Sequence, residues 1–251
     1  MKRIITCVVF AYMLLAVNVL QANESLFYAE KLYEQQQYDS ALLVYTQLID
    51  EGFESADLFY NIGNAYFKKG DIAHAILFYE RAYLLNPKDA DIAHNLAYAH
   101  SQQVDKIDII GQGFFKKIYT SFYRYFSLQT WVFLSVFCFI LFLTGLLVFL
   151  LSPVVTLKKV GFFVGVFCIG ISAISYSSAS SRYSELENRE YAILIEPAVS
   201  IRTEPSHSSK ALVVLHGGVK VFILQERNGW YSIRLQDGTQ GWIEQKHVEI
   251  I

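Results

Sequence analysis

The sequence predicts a multidomain fold: an all-α helical repeat, a two-helix transmembrane hairpin and a small all-β barrel, in that order. Three observations carry the prediction. Apolar positions before residue 105 recur with helical spacing and again after 34 residues; residues 127–176 contain only two charges, Lys158 and Lys159; and after Glu190 the apolar period becomes two.

With 251 residues the chain has room for more than one domain, and only 18% of them are charged, against about 25% in an ordinary soluble domain. The charges are unevenly spread. Asn23 to Asp105 carries 5 basic and 13 acidic residues, Lys106 to Phe126 carries 4 basic and 1 acidic, and the 62 residues from Glu190 carry 6 and 7. No stretch concentrates the cations that neutralise phosphates, so nucleic acid is not expected as a partner. Cys7, Cys138 and Cys168 all lie in apolar runs, leaving no cysteine in the other segments for a disulfide, a metal or a nucleophile.

Residues 1–22 read as a signal peptide. Met1-Lys2-Arg3 is basic, Ile4 to Leu20 is apolar apart from Thr6 and Asn18, and cleavage is expected after Ala22. Leu20 is larger than the small residue preferred two places earlier, so an uncleaved anchor is the alternative. No cysteine follows the apolar stretch, which excludes a lipoprotein.

Residues 23–105 hold the repeat. At a spacing of 34, Ala41 is followed by Ala75, Tyr45 by Tyr79, Asn61 by Asn95, Ile62 by Leu96 and Gly63 by Ala97. Leu58 to Pro87 supplies a full set: Phe59, Ile62, Gly63, Tyr66, Ala75, Tyr79, Ala82 and Pro87, with Gly70-Asp71 dividing two helices and Asn86-Pro87 ending the second. These residues resemble a tetratricopeptide (TPR) repeat. Glu24 to Asp50 is a weaker copy, and Ile92 to Gln102 reads as the first helix of a truncated third. About two and a half repeats is near the lower limit for a stable array, so the module is expected to lean on a partner or on the membrane. The resemblance implies a peptide- or protein-binding concave face, carried here by Glu30, Tyr33, Tyr60, Asn61, Asn64, Phe67, Lys68, His94, Asn95 and Tyr98. Asn61 stands where clamp-type TPRs hold a C-terminal carboxylate, but the basic residues of such clamps are absent, and that specificity is not carried over.

Residues 106–127 mix rings with cations (Phe114, Phe115, Lys116, Lys117, Tyr119, Phe122, Tyr123) and read as an amphipathic interfacial segment, with a simple linker as the alternative. Residues 128–151 form the first expected span: Trp131 to Leu151 is uncharged for 21 residues, enough to cross a hydrocarbon core of about 30 Å. Residues 152–159 are the expected cytoplasmic turn and residues 160–181 the second span, with Gly161, Gly165, Gly170 and Ala173 suited to close helix contact. Two spans return the chain to its starting side, so both flanking domains should share it. The leader makes that the exported side; Lys116, Lys117 and Arg124, placed outside, run against the positive-inside rule.

Residues 182–251 contain the barrel. Short strands are expected at Val199–Arg202, Leu212–Leu215, Lys220–Gln225, Trp230–Leu235, Gln240–Ile243 and Val248–Ile250, divided by Glu204-Pro205-Ser206, Gly217-Gly218, Asn228-Gly229 and Asp237-Gly238. Five or six such strands suggest a small closed barrel. Val199-Ser200-Ile201-Arg202, Gly229-Trp230-Tyr231-Ser232-Ile233-Arg234 and Gly241-Trp242-Ile243 resemble a bacterial SH3 (SH3b) domain. The resemblance implies binding of cell-wall peptides or proteins, through an aromatic groove of Trp230, Tyr231 and Trp242.

The chain has no HExxH, GxSxG, P-loop or dinucleotide fingerprint, and His94 and His100 are six apart rather than four. No enzyme activity, cofactor or metal is expected. Leader, TPR, hairpin and SH3b in this order resemble the BatE-type proteins of Bacteroidetes aerotolerance operons. That resemblance implies a two-pass inner (cytoplasmic) membrane protein with both soluble domains in the periplasm. Its partners would be the von Willebrand factor A-domain membrane proteins and a MoxR-type ATPase of an envelope-stress complex. A cell-wall peptide sensor acting through the SH3b domain is the alternative reading.

Overall fold

The computed structural model describes residues 24–107, 114–187 and 191–251. The leader expected over 1–22 and residues 108–113 of the juxtamembrane segment lie outside the described residues. The described chain forms two compact units, one joining 24–107 to 191–251 and the other holding 114–187.

In the first unit α1 (24–34), α2 (Tyr38–Asp50), α3 (Ala56–Lys69), α4 (Ile72–Leu85) and α5 (Ala90–Ser101) form the helical stack. Local chemistry sets the ends. Ser55, Asp71 and Asp89 accept hydrogen bonds from the first-turn amides of α3, α4 and α5, and Gly70 ends α3 in the left-handed region at φ +82°. The 34-residue period has a packing cause. Ala41 and Ala75 are fully buried, Tyr45 and Tyr79 fill equivalent slots, and a Cβ added at Gly63 would lie 2.6 Å from the Tyr79 ring. Ala97, the counterpart of Gly63, is exposed, with no further helix packed on it among the described residues.

The same unit contains β1 (Tyr191–Leu194), β2 (Val199–Arg202), β3 (Ala211–Leu215), β4 (Lys220–Arg227), β5 (Trp230–Arg234), β6 (Gln240–Glu244) and β7 (Val248–Ile250) in one antiparallel sheet of order β3-β2-β6-β5-β4-β1-β7. Strand β1 was not expected from the sequence. β3 and β7 stand at the two ends of the hydrogen-bonded order, so closure of the barrel is not a continuous ladder. Asn228 and Gly229 both take positive φ in the β4–β5 hairpin, as a type I′ turn requires, whereas in the Asp237-Gly238 turn only Gly238 does.

In the second unit α6 (Phe114–Tyr123) packs on α8, and α7 (Leu128–Leu151) with α8 (Val155–Glu187) form an antiparallel pair. Both long helices are apolar enough to cross a membrane, and together they fit a membrane hairpin. The connection is shorter than the 152–159 turn expected: α8 starts at Val155, immediately after Ser152-Pro153-Val154, so Lys158 and Lys159 lie in its first turns. It also extends beyond the 160–181 span at both ends. The helices meet at glycines: a Cβ at Gly145 would lie 2.8 Å from the Gly161 carbonyl oxygen. Farther along, the Ser135 hydroxyl donates to the Ser172 carbonyl at 3.2 Å and Ser172 returns the bond at 2.9 Å. Cys138 and Cys168 are buried free thiols within these helices. Arg182, 3% exposed, and Arg124 both bind the Glu185 carboxylate.

Candidate functional site

The concave face of the stack is built by α1, α3 and α5, and the structure brings most of the expected residues together there. Asn61 donates to Glu30 at 3.1 Å, linking α3 to α1. Asn95 donates to the Tyr60 hydroxyl at 2.9 Å and to the Asn64 Oδ1 at 3.0 Å, linking α5 to α3. Phe67 and Tyr98 pack with ring centroids 5.5 Å apart. Tyr33, half-buried, packs edge-on to Tyr38; burial, with Tyr38 and Tyr60 nearby, raises its hydroxyl pKa. Lys68 and His94 stand exposed on the same helices. One member was missed: Tyr79 of α4 reaches through the stack to donate to Asn64 Oδ1 at 2.7 Å. Its 34-residue pairing with Tyr45 marked it as core, and nothing local marked the polar tip.

An asparagine side chain has two donors and an acceptor with two lone pairs, more than these bonds consume. A row of amides and phenols crossing three helices can therefore pair with the main chain of an extended peptide. The surrounding sequence is acidic and the concave-face residues add only Lys68 as a fixed cation.

On the barrel, period two separates the expected aromatics. Trp230 pairs across with Glu244 and Ser232 with Trp242, while Tyr231 pairs with Ile243 on the core side. Trp242 is half-buried; Trp230 is covered, with the His207 ring edge-on at 5.3 Å. Glu244 lies 3.5 Å from His207 and 3.0 Å from Lys246, and the Lys246 hydrogen bond holds its carboxyl below the usual carboxylate range.

A third constellation, which no local pattern announces, joins stack and barrel. Strand β1 is shared between two cores: Ala192 and Leu194 enter the barrel core, while Ile193 points the other way into the core of the helical stack, where Ile251 joins it. On α4 the contact stripe is Ala73, Ile76, Glu80 and Arg81. A Cβ at Gly217 would lie 3.0 Å from that of Ala73, and one at Gly218 (φ +95°) would lie 3.0 Å from Ile76 Cδ1. Arg81 donates to the Ile250 carbonyl at 2.6 Å, and Asp105 accepts from the His216 amide at 2.6 Å.

At the centre of the seam sits Glu80, 8% exposed. The Lys220 ammonium donates to its Oε2 at 2.7 Å, and His100 Nε2 lies 3.5 Å from its Oε1. Gln103 contacts the His100 ring at 3.0 Å and donates to the Gly218 carbonyl. Burial, the largest influence on Glu80, would raise its pKa, but the charge of Lys220 and the hydrogen bonds from His100 and Lys220 together outweigh it and hold the carboxyl at about 2. Burial likewise would lower His100, and the bonds to Glu80 and Gln103 raise it overall.

A tetratricopeptide repeat model matches residues 56–89, which span α3 and α4, and a bacterial SH3 domain model matches residues 197–249. The second match begins after β1, so the strand that enters both cores lies outside it. A search of curated proteins finds no match to the chain.

Proposed function

We propose that the chain is a non-enzymatic, membrane-anchored scaffold that presents a TPR groove and an SH3b barrel on one exported face and engages protein partners there. The shared core supports this reading. Ile193 and Ile251 belong to the hydrophobic core of the helical stack although they come from the barrel segment. A helical core that takes residues from the barrel segment is not compatible with a bilayer between the two, which supports one side for the chain before α7 and after α8, as two spans require. TPR and SH3b domains are typically non-catalytic interaction modules, matched to protein or peptidoglycan partners.

Export of that face rests on the basic and apolar leader. Of the three cations that oppose it, Arg124 is bound to Glu185, leaving Lys116 and Lys117 as the exposed pair. The resemblance to BatE-type proteins supports a scaffold in the inner membrane, facing the periplasm, beside von Willebrand factor A-domain membrane proteins. The concave face of Tyr60, Asn61, Asn64, Phe67, Lys68, His94, Asn95 and Tyr98 is the surface assigned to a partner. Trp242, the more accessible tryptophan of the expected barrel groove, carries the second reading, a sensor of cell-wall peptides. The three-residue connection Ser152–Val154 leaves no space for an output domain between the spans, which favours the scaffold.

Affinity purification of the solubilised full chain separates the two. Asn61→Ala with Asn95→Ala should abolish recovery of protein partners, and Trp242→Ala should leave it intact. Partners that persist without the amide row, together with muropeptide binding that depends on Trp242, would overturn the scaffold reading.

A further inference from the structure

We propose that the SH3b barrel serves this chain as a brace in cis, and that the short TPR stack depends on it to hold α3 and α4 in place. The proposal goes beyond the scaffold reading and stands whichever side of a membrane the unit occupies. Each repeat of such an array buries its hydrophobic face only against neighbours, so two and a half repeats leave much of that face uncovered.

The stripe of α4 that faces α3 is filled in the ordinary way, with Phe78 and Tyr79 packed on Phe59, Tyr60 and Gly63. The other stripe, Ala73, Ile76 and Glu80, would lie open in a purely helical stack. Here all three are buried, under the Gly217-Gly218 turn and Lys220. The sequence of this stripe is that of a buried contact rather than a solvated face, since two of its three residues are apolar and the third is a carboxylate with a dedicated cation.

The exposed Ala97 marks where the brace stops. The barrel covers the outer side of α4 and meets the chain just after α5, at Gln103 and Asp105, while Ala97 stays exposed among the described residues. Its action is therefore lateral: it adds Ile193 and Ile251 to the stack's core and fixes one docking register through the Glu80–Lys220 pair. A buried ion pair is suited to this, because any other placement strands a charge away from water. Barrel residues in the seam are then unavailable to outside ligands, and ligand binding falls to the Trp242 side.

Hydrogen exchange of the detergent-solubilised full chain tests the proposal. Lys220→Met, a change within the barrel, should lower the protection of α3 and α4 amides at least tenfold, with Glu80→Gln added to the same chain restoring most of it. Ile251→Val is milder and keeps the test decisive if the first variant does not fold; it should lower protection in α3 and α4 several-fold. Loss of protection confined to β4 to β7, with α3 and α4 unchanged, would overturn the proposal.

Discussion

Lys220 and Glu80 meet at 2.7 Å across a seam that joins residues 140 positions apart, and the carboxylate they enclose is 8% exposed. Removing one partner strands the other. Lys220→Met should therefore cost about 3–5 kcal/mol in denaturant unfolding of the solubilised chain, whereas Glu80→Gln with Lys220→Met should cost much less. Additive losses in the double variant would mean that the two side chains are not energetically coupled.

The same cluster gives stability a pH dependence at both ends. Glu80 is depressed from 4.5 to about 2, so its contribution, on the order of 3 kcal/mol, is present above pH 4.5 and is lost as pH falls from there towards 2. His100 is raised above 6.5, so its contribution is complete below pH 6.5 and is lost as pH rises through the raised value. The groups facing the cluster are Lys220 from β4, Gln103 after α5 and Tyr191 from β1, whose ring lies 4.8 Å from the Lys220 ammonium. The unfolding midpoint should be highest between about pH 4.5 and 6.5; His100→Gln should flatten part of the alkaline limb, His74 keeping the rest, and should also shrink the acid limb, because His100 helps to hold the Glu80 carboxyl down.

Glycine positions separate crowding from backbone conformation. Gly63→Ala drives a methyl to 2.6 Å from the buried Tyr79 ring and should cost about 1–3 kcal/mol. At Gly52, where φ is +86° and nothing lies within 4 Å, the alanine variant pays only the left-handed conformation, about 1–2 kcal/mol. Tyr79→Leu should partly rescue Gly63→Ala and leave Gly52→Ala unchanged in thermal denaturation.

Within the amide row, Asn64 and Asn61 should part company. Asn64 accepts from the buried Tyr79 hydroxyl, so Asn64→Ala orphans that group and should cost about 1–3 kcal/mol. Asn61 bonds only to Glu30 on the half-exposed groove wall, and Asn61→Ala should stay within about 1 kcal/mol. Equal losses in calorimetry would place both amides in a structural role.

The repeat was legible because its signal is local and periodic: Gly63 opposite Tyr79 and Ala75 after Ala41 can be read along one chain. Strand β1 was not legible, and the reason is physical. Ala192 and Leu194 feed one core and Ile193 the other, so burial on both faces erases the alternation that marks a half-buried strand. Helix α4 has the same property, being buried on nearly every side. Lys220 and Glu80 lie 140 positions apart, and only the fold brings them together. Of the aromatics expected to form a groove, Tyr231 lies on the face of the sheet opposite Trp230 and Trp242, since adjacent residues on a strand point to opposite faces.

Stack and barrel are proposed to lie on one exported face, joined by a two-pass anchor. Alkaline phosphatase, active only when exported, can be fused after Gln103 in one chain and after Ile251 in another, with a third fusion within Ser152–Val154. Activity is expected from the first two fusions and none from the third. Activity from only one of the first two would contradict the shared side, and activity from the third alone would reverse the topology.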